Sequence, residues 1–276
     1  MRVLVMFGSK SDANIYEPLK ARLLNEGHDV DFRMISVHRS PELLEKELST
    51  TNPEVVVSSA GLAAHLPGVL AAKLLVPVVG IPCSAAIGGV DAYFAISQMP
   101  FGIPVLSTAP DAYNTAVDLV SRWSRLDLKF DFDGFHLVLE RHKRNLPHFQ
   151  ALIQRAEKIA EKTKLDLMIS DRTKENALNI CLVDINDADP ECPLALPPPA
   201  ATSDEVRLLV PVLNERAYRD LFASLNVVRR VGSAPGGIWL GINNFGNALL
   251  ASLQMANAEG DHSAFLTNAK KGYIHA

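Results

Sequence analysis

The feature that most constrains this chain is a series of similar segments that occur twice in the same order, about 134 residues apart. "LLVPVV" at 74–79 returns as "LLVPVL" at 208–213. "FGIPVLSTAPDAYNTAVDLV" (101–120) is paired with "GGIWLGINNFGNALLASLQ" (236–254) at nearly the same spacing. A fixed spacing of this length is typical of a repeated structural unit. We therefore interpret the chain as a tandem duplication with a divergent second copy.

Each copy alternates short apolar runs with segments of helical periodicity. In the first copy, 1–124, the predicted strands are 3–7, 30–35, 54–59, 76–81 and 103–108, and the predicted helices are 14–25, 41–48, 66–75, 90–97 and 114–123. In the second copy, 135–276, the predicted strands are 135–140, 165–170, 180–185 and 208–213, the predicted helices are 147–163 and 246–257, and 196–203 is a predicted loop. Repeated strand–helix units of this length predict a doubly wound parallel sheet in an α/β fold.

Composition argues against several functional classes. The net charge of −4 gives no general basic surface for nucleic acid or an anionic membrane, and we expect neither partner. Cys83, Cys181 and Cys192 form no C-x-x-C pair, which favours buried thiols over disulfides or a zinc site. The first apolar run is too short for a signal peptide, and no run reaches transmembrane length. We expect a soluble, cytoplasmic protein.

Polar and small residues follow the first three predicted strands. The segments are "GSKSD" (8–12), "SVHRSP" (36–41) and "AGLAAHLPG" (60–68). Because the carboxyl ends of parallel strands border the ligand crevice of such sheets, we expect the three loops to converge there.

The loop residues are suited to particular chemistry, but some of them also have a simpler structural explanation. A turn between strand and helix, such as 8–12, favours an anion, although an ordinary helix cap has the same sequence. His38 suits proton transfer near neutral pH and Arg39 suits a phosphate, although a lone histidine is more often structural. Small residues at 60–64 let backbone amides approach a ligand closely. The residues present no metal-ligand pattern and no Ser-His-Asp set.

These three loops, with "KLLVPVVGIP" (73–82) and "GVDAYFAISQMPFGIPV" (89–105), resemble the catalytic-subunit family of phosphoribosylaminoimidazole carboxylase. Its bacterial form is 5-(carboxyamino)imidazole ribonucleotide mutase, an enzyme of de novo purine synthesis. The resemblance covers roughly the first 123 residues. It implies a three-layer α/β/α sandwich of flavodoxin-like topology that assembles as an octamer.

The resemblance also implies residue roles. His38 would be the general acid and base, and the substrate would be an aminoimidazole ribonucleotide, with no cofactor and no metal. The residues implied to bind substrate all lie in the three loops: Gly8, Ser9, Ser11, Asp12, Ser36, Arg39, Ala60, Gly61, Ala63, His65 and Leu66.

The second copy departs from these motifs. "ERHKR" (140–144), "SDRTKE" (170–175) and "INDADPECP" (185–193) replace them, and the histidine is missing. In the first copy, Leu62 follows Gly61 where the family usually has a second glycine, and Phe101 stands where basic or small residues are common. If position 62 needs a left-handed backbone, leucine would cost roughly 1–2 kcal/mol and would crowd the pocket.

Three functions remain open at this stage. The first is the mutase, the second is a carboxylase that uses free carbon dioxide, and the third is a non-catalytic nucleotide-binding homologue. Because the family builds octamers from single domains, the duplication predicts a homotetramer, a pseudo-octamer in which the second copy is a structural repeat.

Overall fold

The computed structural model describes residues 1–128, 132–186, 204–233, 237–257 and 259–274, apart from the side chains of 228 and 231–233. The predicted loop at 196–203, most of "INDADPECP" and Cys192 lie outside these ranges. Within them, Cys83 and Cys181 are buried free thiols.

Strands and helices alternate along most of the described chain. The strands are β1 (Arg2–Phe7), β2 (Asp29–Met34), β3 (Val55–Ala60), β4 (Val78–Pro82), β5 (Leu106–Ser107), β6 (Gly134–Val138), β7 (Asp166–Ser170), β8 (Leu178–Asp184), β9 (Val206–Val212) and β10 (Ile238–Trp239). The helices are α1 (Ala13–Asn25), α2 (Pro41–Leu48), α3 (Leu66–Lys73), α4 (Val90–Ser97), α5 (Tyr113–Arg125), α6 (Pro147–Thr163), α7 (Glu215–Tyr218), α8 (Leu221–Ser233), α9 (Phe245–Ala256) and α10 (Ser263–Lys270).

All ten strands belong to one sheet, in the order β2-β1-β3-β4-β5-β10-β9-β8-β6-β7. Each half therefore has the order 2-1-3-4-5 when its own strands are counted, which is the flavodoxin-like arrangement. Strands are parallel within each half, and the halves meet where β5 and β10 pair antiparallel, with Ser107 opposite Trp239. The two halves thus form one continuous sheet rather than two separate ones.

Helices cover both faces of the sheet because its central strands are apolar on both sides. On one face, α1 and α5 of the first half and α6 and α9 of the second half pack into a single core that crosses the β5–β10 junction. On the other face of the first half, α2, α3 and α4 cover β1, β3 and β4. The predicted doubly wound, three-layer α/β fold is confirmed.

Most predicted elements agree with the structure within a few residues, and the helices at 41–48, 90–97 and 147–163 agree at both ends. The strand predicted at 103–108 is shorter than expected, since only Leu106 and Ser107 pair. Pro104 lacks the N–H that would extend the ladder toward its start. None of the helices in the described part of the chain is long and apolar enough to cross a membrane.

Candidate active site

The three predicted loops converge on one cavity at the carboxyl ends of β1, β2 and β3. Its volume is about 260 Å³. The three strands are neighbours because β1 lies between β2 and β3. The lining includes all but one of the predicted binding residues, together with His38: Gly8, Ser9, Ser11, Asp12, Ser36, Arg39, Ala60, Gly61, Ala63 and Leu66. His65, the exception, contacts the cavity through His38.

The loop after β1 forms a short chain of hydroxyl groups. Ser9 Oγ accepts from the Ser11 backbone N–H at 3.2 Å and lies 2.7 Å from Ser11 Oγ. Ser11 Oγ donates to Asp12 Oδ1 at 2.9 Å. Asp12 occupies the N-cap position of α1, but its side chain accepts no hydrogen bond from the helix backbone. The plain capping interpretation is therefore wrong for Asp12, and its carboxylate faces the cavity with acceptor capacity for a ligand hydroxyl.

The loop after β2 presents His38 and Arg39 on a tight turn. The backbone N–H groups of Arg39 and Ser40 both donate to Ser36 O, at 3.2 and 2.9 Å, and this fixes the turn. Both side chains are exposed at the cavity. Among the residues that the structure describes, the Arg39 guanidinium has no carboxylate partner, so it remains available to an anionic ligand.

His38 and His65 form a hydrogen-bonded pair, with 2.8 Å between His38 Nε2 and His65 Nδ1. Their rings meet edge to face at a centroid distance of 5.0 Å. His65 is the N-cap residue of α3, so this helix positions the partner of His38. One ring must donate and the other accept, and two imidazolium ions could not share this hydrogen bond. The pair is therefore suited to hold one mobile proton at the cavity.

The loop after β3 is narrow because it packs against the loop after β4. A Cβ added to Gly61 would lie 2.7 Å from the Ala85 Cβ and 3.4 Å from the Cys83 Cβ. The left-handed residue is Ala63, at φ 47°, and not Leu62. The expectation of strain at Leu62 is therefore wrong. The Leu62 side chain lines the cavity rim and is 70% exposed.

Phe101, the other departure from the family pattern, does not line the cavity. Its half-buried ring packs against the main core instead. A basic or small residue is common at this position in the family pattern. In this chain the position contributes to core packing and not to the cavity.

The sequence motifs did not identify the fourth wall of the cavity, which the loop after β4 supplies. Asp111 accepts from the Ser84 backbone N–H at 2.9 Å and also from the Ser84 hydroxyl. Its own N–H donates to Pro82 O at 2.8 Å. Asp111 has φ 58°, a conformation that aspartate tolerates better than most residues. The sequence signal for this contact is the aspartate that directly follows "STAP". The signal is weak because Ser84, the partner of Asp111, lies 27 residues earlier in the chain.

Cys83 lies behind this wall and is not a nucleophile. Burial raises the pKa of its thiol to about 12, and Ser59 Oγ lies 2.8 Å from the sulfur. The thiol is therefore neutral at physiological pH and acts as a small packing group.

The corresponding edge of the second half has different chemistry. A short 3₁₀ turn, Arg141–Lys143, follows β6, and Asp171 and Arg172 follow β7. His136 is buried within β6, with its ring nitrogens 2.5 Å from Asn179 Oδ1 and 2.9 Å from Ser170 Oγ. Its nitrogens are thus engaged inside the fold, as expected for a structural histidine.

A larger cavity, of about 390 Å³, lies in the second half at the amino-terminal ends of β6 and β8. Its lining includes Asp127, His136 and Lys174 but none of the residues predicted to bind substrate. Size therefore does not identify the candidate site in this molecule, whereas converging polar groups do.

Comparison with known proteins identifies relatives of the first half of the chain. The family model described as AIR carboxylase matches residues 2–124, which contain every residue lining the first cavity. N5-carboxyaminoimidazole ribonucleotide mutase of Methanocaldococcus jannaschii is 38% identical over 117 residues, covering 42% of this chain and 74% of that protein. The Escherichia coli mutase is 44% identical over 115 residues, covering 38% of this chain and 64% of that protein.

A solved structure of PurE from Treponema denticola aligns over 59% of this chain and 96% of that chain, with 22% identity and a TM-score of 0.35. The sequence relatives identify the family, because the chain is 38% identical to the archaeal protein and covers 74% of its length. The chain belongs to the AIR carboxylase family.

Proposed function

We propose that this protein converts 5-(carboxyamino)imidazole ribonucleotide to 4-carboxy-5-aminoimidazole ribonucleotide. The observation that carries the proposal is the His38–His65 pair at the wall of a cavity that also contains Arg39, Asp12 and the two serines. This cavity lies in the part of the chain that is similar to N5-carboxyaminoimidazole ribonucleotide mutases.

The proposed reaction moves a carboxylate from nitrogen to carbon. His38, starting protonated, donates a proton to the exocyclic nitrogen as its bond to the carboxylate carbon breaks and carbon dioxide is released. The nucleophilic ring carbon then attacks carbon dioxide and forms the new carbon–carbon bond. That ring carbon gives its proton to the neutral His38, so protons and electrons balance over the cycle. The hydrogen bond between His38 Nε2 and His65 Nδ1 orients the His38 ring for both transfers.

The remaining groups account for binding and confinement. Arg39 pairs the substrate phosphate, Asp12 accepts hydrogen bonds from the ribose hydroxyls, and the hydroxyls of Ser9 and Ser11 donate to the phosphate. The narrow Gly61–Ala63 segment brings backbone amides close to the migrating carboxylate. Confinement in the cavity keeps carbon dioxide beside its acceptor, which replaces a bimolecular encounter by an intramolecular one.

We further propose that residues 135–276 are a divergent second copy of 1–124 and that the protein assembles as a cytoplasmic homotetramer. The duplication is supported by the identical strand order of the two halves. The tetramer is inferred from the octameric assembly of single-domain relatives. In this assembly only the first copy is catalytic, because the second lacks the equivalents of His38 and the serine loop.

The deciding experiment is turnover of 5-(carboxyamino)imidazole ribonucleotide by the purified chain, followed by ultraviolet absorbance in bicarbonate-free buffer. Conversion under these conditions supports the mutase. Product formed only from aminoimidazole ribonucleotide with added bicarbonate would indicate the carboxylase instead. Ribonucleotide binding by calorimetry without either reaction would indicate a non-catalytic homologue.

A further inference from the structure

The second half contacts the first half at α3, the helix whose N-cap residue is His65. Helix α3 has only eight residues, and its first residue, Leu66, lines the cavity. Its carboxyl end is held from the other half of the chain. Lys270, the last residue of α10, donates from Nζ to Ala71 O at 2.7 Å and also to Leu74 O. Ala71 lies in the last turn of α3 and Leu74 is its C-cap residue, a region where helix carbonyls lack intrahelical partners and a cation is favoured.

A second contact reaches the underside of the same helix. Asn247 in α9 is fully buried, and its amide donates to Pro100 O at 2.9 Å and to Met99 O at 3.3 Å. Its Oδ1 accepts from the Gly102 N–H at 3.0 Å. The Met99 side chain lies directly against α3, since a Cβ added to Gly68 would be 3.0 Å from the Met99 Cε. The side-chain amide of Asn244 also donates to Met99 O, at 2.6 Å, so Asn247 and Asn244 together fix the segment on which the middle of α3 rests.

A third contact between the two halves lies beside the first two. Gly102 has φ 101° and packs so closely on the Ala269 backbone that a side chain at position 102 would overlap it. The cavity lining itself comes entirely from the first half. Within the described residues, the second half thus reaches the site through the supports of α3 and contributes none of the cavity lining.

We propose that Lys270 and Asn247 are positioning residues, through which the second half sets the orientation of α3 and hence the His38–His65 hydrogen bond. A two-turn helix moves as a rigid unit, so a displacement at Ala71 or Gly68 is transmitted to His65 at its start. The proposal gives the second half a specific role in the proposed reaction. It rests on the proposed function only where turnover is measured.

The primary test does not require turnover. Imidazole ¹H–¹⁵N spectra of His38 and His65 are compared in wild type, Lys270→Met and the matched control Lys271→Met. Met keeps the apolar stem but removes the ammonium, and Lys271 is the exposed neighbour on the same helix end. We expect Lys270→Met to shift the imidazole signals of His65 and His38, while Lys271→Met matches wild type.

Asn247→Asp provides a second variant in case Lys270→Met folds poorly. It keeps the acceptor for Gly102 but removes the two amide donors, and the same spectral changes are expected. In the turnover assay, both variants should lower kcat by about tenfold or more, with little change in KM. The reason is that they disturb the orientation of the His38–His65 pair and not the contacts that bind substrate.

Spectra of folded Lys270→Met and Asn247→Asp that match those of Lys271→Met would overturn the proposal. Absence of turnover in wild type would refute the proposed function instead, and the imidazole spectra would still decide whether the second half positions α3.

Discussion

His38 and His65 are joined by a hydrogen bond of 2.8 Å, although they lie 27 residues apart and on loops of two different strands. The loops meet because β2 and β3 flank β1 in the sheet. The pairing gives His38 a hydrogen-bonding neighbour that fixes the orientation of its ring, which a lone surface histidine would not have.

Replacement of His38 tests its role in proton transfer. We expect His38→Asn to lower turnover by roughly 10²–10⁴-fold, since a general acid and base contributes about that much. Ribonucleotide binding, measured by calorimetry, should remain close to wild type. Turnover near the wild-type rate would remove His38 from the mechanism, and a large loss of thermal stability would indicate a packing role instead.

Replacement of Arg39 tests the phosphate site. Arg39→Ala should weaken ribonucleotide binding by on the order of 1.5–3 kcal/mol, the usual worth of a hydrogen bond to a charged group. Lys46→Ala is the matched control, because Lys46 is an exposed cation on α2 outside the cavity. Calorimetry should show weaker binding for the first variant only, and equal affinities would place the phosphate elsewhere.

The narrow wall between Gly61 and Ala85 predicts sensitivity to a single methyl group. Gly61→Ala places a Cβ 2.7 Å from the Ala85 Cβ, so one of the two loops must move. Overpacking of this kind costs about 1–3 kcal/mol, measured as a loss of unfolding free energy in urea. Gly8→Ala is the comparison, because no atom lies within 4 Å of its added Cβ. Equal stabilities of the two variants would contradict the packing argument.

Lys270 predicts a pH dependence of stability. Burial lowers the pKa of its ammonium from 10.5 to about 8. Between these two values the unfolded chain binds more protons than the folded chain, so the unfolding free energy rises with pH in this window. Urea denaturation should therefore show wild type gaining stability relative to Lys270→Met between about pH 8 and pH 10.5. A difference between the two proteins that does not change with pH would show that the folded-state pKa is not lowered.

The proposed assembly can be tested by light scattering. Four chains, which hold eight half-sheets, are expected. A monomer in dilute solution, or a particle of eight full chains, would contradict the tetramer. The measurement is made at several protein concentrations, since a weak association would dissociate on dilution.

Local pattern was enough to predict most elements and the three cavity loops. The apolar spacing of Ile15, Leu19 and Leu23 identified α1, and all three side chains are buried as that spacing requires. The loops could be placed together because parallel strands share a carboxyl edge.

Relationships between distant residues were less predictable. The His38–His65 bond depends on how α3 is seated, and the Asp111–Ser84 contact depends on the return of the chain after β5. The left-handed backbone falls on Ala63 rather than on Leu62, and the close approach of Gly61 to Ala85 joins residues that are 24 positions apart. The antiparallel pairing of Ser107 and Trp239 has no local signature at all, since each strand contributes only two residues.

The β5–β10 junction also affects how the protein avoids aggregation. Two separate five-stranded sheets would have four edges with unpaired backbone groups, each a template for association with another chain. The fused sheet formed by the described residues has only β2 and β7 at its edges. Strand β2 carries Asp29, Asp31 and Arg33, and charges of this kind discourage pairing with a second sheet. Joining the halves through β5 and β10 therefore removes two edges, and leaves at least one remaining edge guarded by charge.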